Sequence, residues 1–208
     1  MKTVIAALFA LAVSASLSRA ELVLDNIANT TSNGLASLWK AQSFITSAGS
    51  WWLTQADLWL INSATNVSVS IYDNSVANKP GSLVATLAGP TTITGNGTGA
   101  AYSFTSSGIA LSGGTRYWLV QTAASGGNLS WRGTTNANST TGSWSVPAIS
   151  AASSSDGTSW NSQALTLNFT LYASSTAPAA VPEPGTWAAA LLVGGVALLY
   201  RRKSRAID

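Results

Sequence analysis

The sequence predicts an all-β protein: an antiparallel β-sandwich or jelly-roll domain, preceded by a signal peptide and followed by one C-terminal transmembrane helix. Between Glu21 and Tyr172 the chain is rich in Gly, Ser, Thr and Asn, and no stretch holds a 3.6-residue apolar period for long. Several segments there alternate apolar and polar residues, the signature of a strand with one dry face. A separate apolar run stands at each end of the sequence.

Met1 and Lys2 open onto residues 3–13, which hold Val4, Ile5, Leu8, Phe9 and Leu11, and Ser18, Arg19 and Ala20 follow. A basic start, an apolar run and small residues before a cut make a secretory signal, with cleavage expected between Ala20 and Glu21. Residues 1–20 are therefore read as signal peptide. Residues 21–172 are read as one domain, since about 150 residues suffice for a single core. Its clearest strand covers 165–172, with Leu165, Leu167, Phe169 and Leu171 on one face and Thr166, Asn168, Thr170 and Tyr172 on the other. Residues 67–72 repeat the pattern, and further strands are expected at 56–61, 82–87, 101–105, 115–121 and 127–132. Turn signals separate them at Asp73-Asn74, Pro80-Gly81, Gly113-Gly114, Gly126-Gly127 and Asp156-Gly157. About eight strands with one wet face each pack best as two antiparallel sheets.

Residues 173–180 carry only small residues and Pro178, the composition of a linker. Val181-Pro182-Glu183-Pro184-Gly185 comes next, and residues 186–200 are read as the membrane helix. With Gly185 the uncharged run reaches 16 residues, just under the roughly 17–25 that span a bilayer. Arg201, Arg202, Lys203 and Arg205 then set its orientation, because basic residues stay cytoplasmic.

The net charge of +3 belongs to the ends. Within residues 21–180, Lys40, Lys79, Arg116 and Arg132 stand against Glu21, Asp25, Asp57, Asp73 and Asp156, so no basic groove for nucleic acid is expected. The chain has no Cys and no His, which excludes disulfides, Cys or His metal sites and every mechanism that needs a His base or a Cys nucleophile. Glycoside hydrolysis needs two convergent carboxyl groups, and the five acidic residues are sparse, with only Asp57 inside an expected strand. No catalytic residue and no cofactor are assigned. A structural calcium ion at Asp73-Asn74 or Asp156 is the one metal considered, and no ligand set is named for it.

Nine Trp residues are many for this length, and eight of them lie in the domain. Trp59 and Trp118, inside apolar strands, are expected in the core. Trp51, Trp131, Trp144 and Trp160 stand beside Ser and Gly, and are candidates either for core packing or for stacking on sugar rings. Trp51 and Trp52 would face opposite ways on a strand, so only one of them can join a given platform.

Val-Pro-Glu-Pro, a short apolar helix and a terminal Arg-Arg-Lys cluster together resemble the PEP-CTERM sorting signal of Gram-negative bacteria, over residues 181–205. The resemblance implies processing by an exosortase, with Pro182, Glu183 and Pro184 as the recognition motif. The two prolines hold the chain extended and remove backbone donors, which keeps such a motif accessible to a protease. The domain is similar to the choice-of-anchor R family in Ala41-Gln42-Ser43-Phe44, in residues 69–73 and 79–87, in residues 111–120, and in Ser155-Asp156-Gly157-Thr158-Ser159-Trp160. That resemblance implies an extracellular β-sandwich module and transfers no catalytic residue. The resulting expectation is a non-enzymatic, exosortase-sorted surface or extracellular-matrix protein associated with exopolysaccharide or biofilm. Its alternative is a carbohydrate-binding module with a defined glycan, using Trp51, Trp131, Trp144 and Trp160.

Overall fold

The computed structural model describes residues 19–178 except 29–32, 96, 125–128, 136–140 and 148–149. The sorting motif, the apolar segment 186–200, the basic tail and nearly all of the signal segment lie outside the described residues. Every regular element among the described residues is a strand. They form two antiparallel sheets that enclose one core.

The first sheet holds β1 (Glu21–Asp25), β13 (Phe169–Ser174), β4 (Ser50–Ile61), β9 (Ser130–Thr134) and β12 (Thr166–Leu167) in that order, with β2 (Asn33–Ala36) on β9 and β7 (Ala100–Ser112) on β4. The second runs β11 (Asn161–Gln163), β10 (Ala151–Ser154), β3 (Trp39–Ile45), β8 (Arg116–Thr122), β5 (Ser68–Asn74) and β6 (Pro80–Leu87). The period-2 pattern explains the core. In β4, Leu53, Ala56, Leu58 and Leu60 point inward, and in β5 and β8 Val69, Ile71, Tyr117 and Leu119 meet them from the other sheet. Burial of such side chains contributes roughly 1.5–3 kcal/mol each.

Each segment expected to be a strand contains one, with different bounds. β4 begins six residues before the expected 56–61, and β7 runs on to Ser112. The segment 165–172 divides at Asn168, whose backbone oxygen accepts from the Trp59 N–H and from Trp131 Nε1. β13 continues to Ser174, so the first two residues read as linker are part of the sheet. Beyond them the Ser174 hydroxyl bonds Thr176. β1, β2, β3, β10 and β11 are strands that the alternation did not reveal.

Polar side chains tie the two sheets together. Gln42 on β3 accepts from the Leu167 N–H of β12 at 2.7 Å and donates to the Ser150 hydroxyl, while within the seven-stranded sheet Asn26 accepts from the Phe169 N–H at 2.7 Å. At the edge, Leu83 and Val84 of β6 are exposed, and two bulges interrupt the pairing of β6 with β5. Bulges of this kind discourage an edge from pairing with another chain.

Candidate functional site

The outer face of the six-stranded sheet carries the aromatic side chains that a wet face lacks. On β3 and β8 the residues that point away from the core are Trp39 and Ala41, and Trp118 and Val120. Ala152 of β10 joins them. Ala41, Val120 and Ala152 are fully buried although they face outward, so something must cover them. Trp39, Tyr72 and Trp160 do so, packed against this second cluster.

The register fixes where each ring stands. Ala152, Ala41, Val120, Ser70 and Thr86 form one row across the strands, with Ser162 at its β11 end. On one side of that row are Trp39 and Trp160, flanking Ser154; on the other are Trp118 and Tyr72, paired directly. Trp39 is level with Thr122, four residues from Trp118 on β8, so the two aromatic rows lie about 13 Å apart along the strands. Trp39 and Trp160 meet edge to face, with centroids 6.4 Å apart at 89°. They therefore make a corner and not a flat platform.

Two loops close this face. The hairpin between β5 and β6 leans over it, and Asn74 Oδ1 accepts from Trp118 Nε1 at 2.8 Å. Lys79, at the foot of the same hairpin, donates to the Ser162 hydroxyl across the sheet. From the other edge, residues 155–160 fold back. Gly157 at φ +77° lies against Trp39, where a Cβ would stand 2.8 Å from the ring. Asp156 shapes that loop: its Oδ1 accepts the Ser159 and Thr158 N–H groups and the Ser154 hydroxyl, each at 2.8 Å. Those bonds, the one from Ser159 foremost, hold its carboxyl well below the usual carboxylate range.

The structure corrects the sugar-platform reading for three of its four tryptophans. Trp131 is fully buried, with Nε1 bonded to the Asn168 carbonyl at 2.8 Å and its ring edge on Phe169. Trp144 stacks on Phe44 at 5.4 Å, and Trp51 meets Trp144 edge to face at 5.7 Å. Both lie inside the sandwich, since large rings fill the gap between two sheets better than they tolerate water. Trp160 alone of the four stays half-exposed. Trp59 is corrected in the opposite sense: it lies half-buried on the outer face of the seven-stranded sheet, under the Arg132 guanidinium at 5.2 Å. Trp118 is buried as expected, but against the outer cluster. Trp39 and Tyr72 were missed. Trp39 had a signal in its period-2 spacing with Ala41 and Ser43, two and four residues on, masked by Lys40 and Gln42.

Asp25 and Asp57 share the outer face of the seven-stranded sheet, on either side of Thr170 in one row and about 10 Å apart by strand spacing. Asp25 accepts from the Thr170 hydroxyl and the Ile27 N–H, and Asp57 accepts from Gln55. Burial first, and then the charges of Asp57 and Asp25, push the Tyr172 phenol up. Asp73 accepts the Ser82 N–H at 2.6 Å. Among the described residues no three acidic side chains gather as a metal site would need, and both Asp73 and Asp156 are engaged in shaping turns. Ala20 and Glu21 are exposed, with Glu21 opening β1 opposite Ala173.

The fold defines a two-sheet all-β protein with a second aromatic cluster on one outer face. No family model matches the chain, and no curated protein matches it.

Proposed function

We propose that the chain is an exported, exosortase-sorted and non-catalytic surface or extracellular-matrix protein of a Gram-negative bacterium, whose β-sandwich associates with exopolysaccharide in a biofilm. One observation supports the association above others: Trp39, Tyr72 and Trp160 are half-buried at the outer face of a sheet, and the edge of an aromatic ring left in water can stack on a sugar. The residues at the two ends support the route. The signal segment and Val181-Pro182-Glu183-Pro184, followed by an apolar segment and the basic tail Arg201, Arg202, Lys203 and Arg205, fit a precursor held in the membrane by one C-terminal helix and then cut by an exosortase. A cut between Ala20 and Glu21 would leave β1 whole.

Fractionation of producing cells tests this reading. The mature protein is expected in the polysaccharide-containing extracellular fraction. Replacing Pro182, Glu183 and Pro184 together with Ala should leave a longer, membrane-held form. If the triple variant is cut to the same product as the natural chain, the sorting assignment is wrong. If the mature protein is found only in the cytoplasm, the exported role is wrong as well.

A further inference from the structure

We infer that the sandwich interior binds one small monovalent anion of the chloride type between Lys40 Nζ of β3 and Gln121 Nε2 of β8.

Lys40 and Gln121 stand directly opposite each other, and both are fully buried. An ammonium group carries three donors and no acceptor. Among the described residues its one partner is Gln121 Oε1, at 2.9 Å. The amide nitrogen of the same Gln121 is buried with no partner among them. Turning the amide over would set its N–H groups against the ammonium, so charge fixes the orientation with Oε1 toward Lys40. Lys40 also lacks a counter-ion, since burial alone lowers its pKa and no carboxylate acts on it. The acidic side chains of the domain are engaged elsewhere. Asp25 and Asp57 lie on the outer face of the other sheet, Asp73 and Asp156 shape turns, and Glu21 is exposed.

Charge and donor count select the ligand. The remaining ammonium donors and the amide N–H groups form a surplus of donors around one uncompensated positive charge, and a buried charge is costly unless it is paired. An anion accepts from these donors and cancels the charge. Water would accept from them too, but it brings two O–H donors of its own and leaves the charge uncompensated. A single positive charge calls for a monovalent ion, and the close packing of a protein interior calls for a small one. Solvent is not far off. In the same row, half-buried Ser153 and exposed Asn161 follow Lys40 to the sheet edge, two strands or about 10 Å away.

The test follows thermal unfolding of the full chain, purified in non-ionic detergent, at pH 7 and constant ionic strength while sodium chloride replaces sodium gluconate. The bulk effect of exchanging the salts acts on every variant alike, so the readout is the difference between the natural chain and each variant. Relative to Lys40→Met, which removes the charge and keeps the length, the natural chain should gain about 3 °C in Tm and level off as the site fills. That is the mark of one ion bound by the folded state alone. Gln121→Glu gives Lys40 a built-in counter-ion of nearly the same shape, and should lose the chloride response while folding at least as well in gluconate. It keeps the test decisive should Lys40→Met fold poorly. The same response to chloride in the natural chain and in either variant overturns the site, since the ion then binds elsewhere or not at all. A response of the natural chain that climbs without levelling off overturns it too, because that marks a bulk salt effect.

Discussion

The two faces of the six-stranded sheet have exchanged part of their usual chemistry. Toward the core, β3 presents Lys40 and Gln42 and β8 presents Gln121; toward the outside, the same strands present Trp39 and Ala41, and Trp118 and Val120. All but Trp39 are buried. The inner polar groups are dry because a second sheet lies over them. The outer apolar groups are dry because a hairpin and a loop have folded back. A sheet face is thus made wet or dry by what covers it, and residue polarity adapts through hydrogen bonds such as Lys40 Nζ to Gln121 Oε1 at 2.9 Å.

The strongest way to break the comparison is to remove a ring from each side. Trp131→Ala, inside, should cost about 3–5 kcal/mol, and Trp118→Ala, outside, should cost a comparable amount because it is equally shielded. Denaturant midpoints measure both. A Trp118→Ala cost below about 1 kcal/mol would mean that the outer cluster is not a second core.

Next in size is the buried Lys40. Burial lowers its pKa to about 8, from an ordinary value of 10.5. Between those values the unfolded chain binds the proton and the folded chain does not, so folding stability rises with pH through that window. Below pH 8 both states are charged and the full penalty of about 3 kcal/mol remains. Lys40→Met should remove this pH dependence and raise stability at pH 7, which thermal unfolding from pH 7 to 10.5 can follow. Equal slopes for the two proteins would refute the buried-ammonium account.

Smaller is Gly157→Ala. It combines a left-handed backbone with a Cβ against Trp39, and should cost about 1–2 kcal/mol and alter the Trp fluorescence by displacing the 155–160 loop. Unchanged fluorescence would show that the loop does not depend on that contact. The smallest effect belongs to Asp156→Ala. Amide exchange at Thr158 and Ser159 should quicken while the unfolding midpoint hardly moves. Because the folded pKa is depressed, the natural loop should loosen in the same way as pH falls through and below the ordinary carboxylate range.

Alternation revealed β5 because Val69 and Ile71 point inward between Ser68, Ser70 and Tyr72, whereas β8 was legible as a short apolar run, Tyr117 to Val120, buried on both faces. Alternation concealed β3 because Lys40 and Gln42 occupy inward positions and Trp39 and Ala41 outward ones. The same inversion concealed the candidate site. Trp51, Trp131 and Trp144 stand beside Ser and Gly in sequence, which left core packing and sugar stacking both open, yet β4 and β9 carry Trp51 and Trp131 inward and an isolated bridge from Ser145 to Ile45 holds Trp144 over Phe44. Asn168 looked like one more polar position in an alternating strand. It divides that strand because its backbone oxygen serves Trp59 and Trp131.

By itself the sequence determined the strand chemistry: period-2 burial, Gly and Asp turns, no Cys or His, and a body of nearly balanced charge. These are local properties, set by side-chain alternation and backbone preference within a few residues. Only the tertiary structure decided which tryptophans became core and which became surface. That choice depends on which strands become neighbours and which loops fold back over a face, and both join residues as far apart in sequence as Lys79 and Ser162.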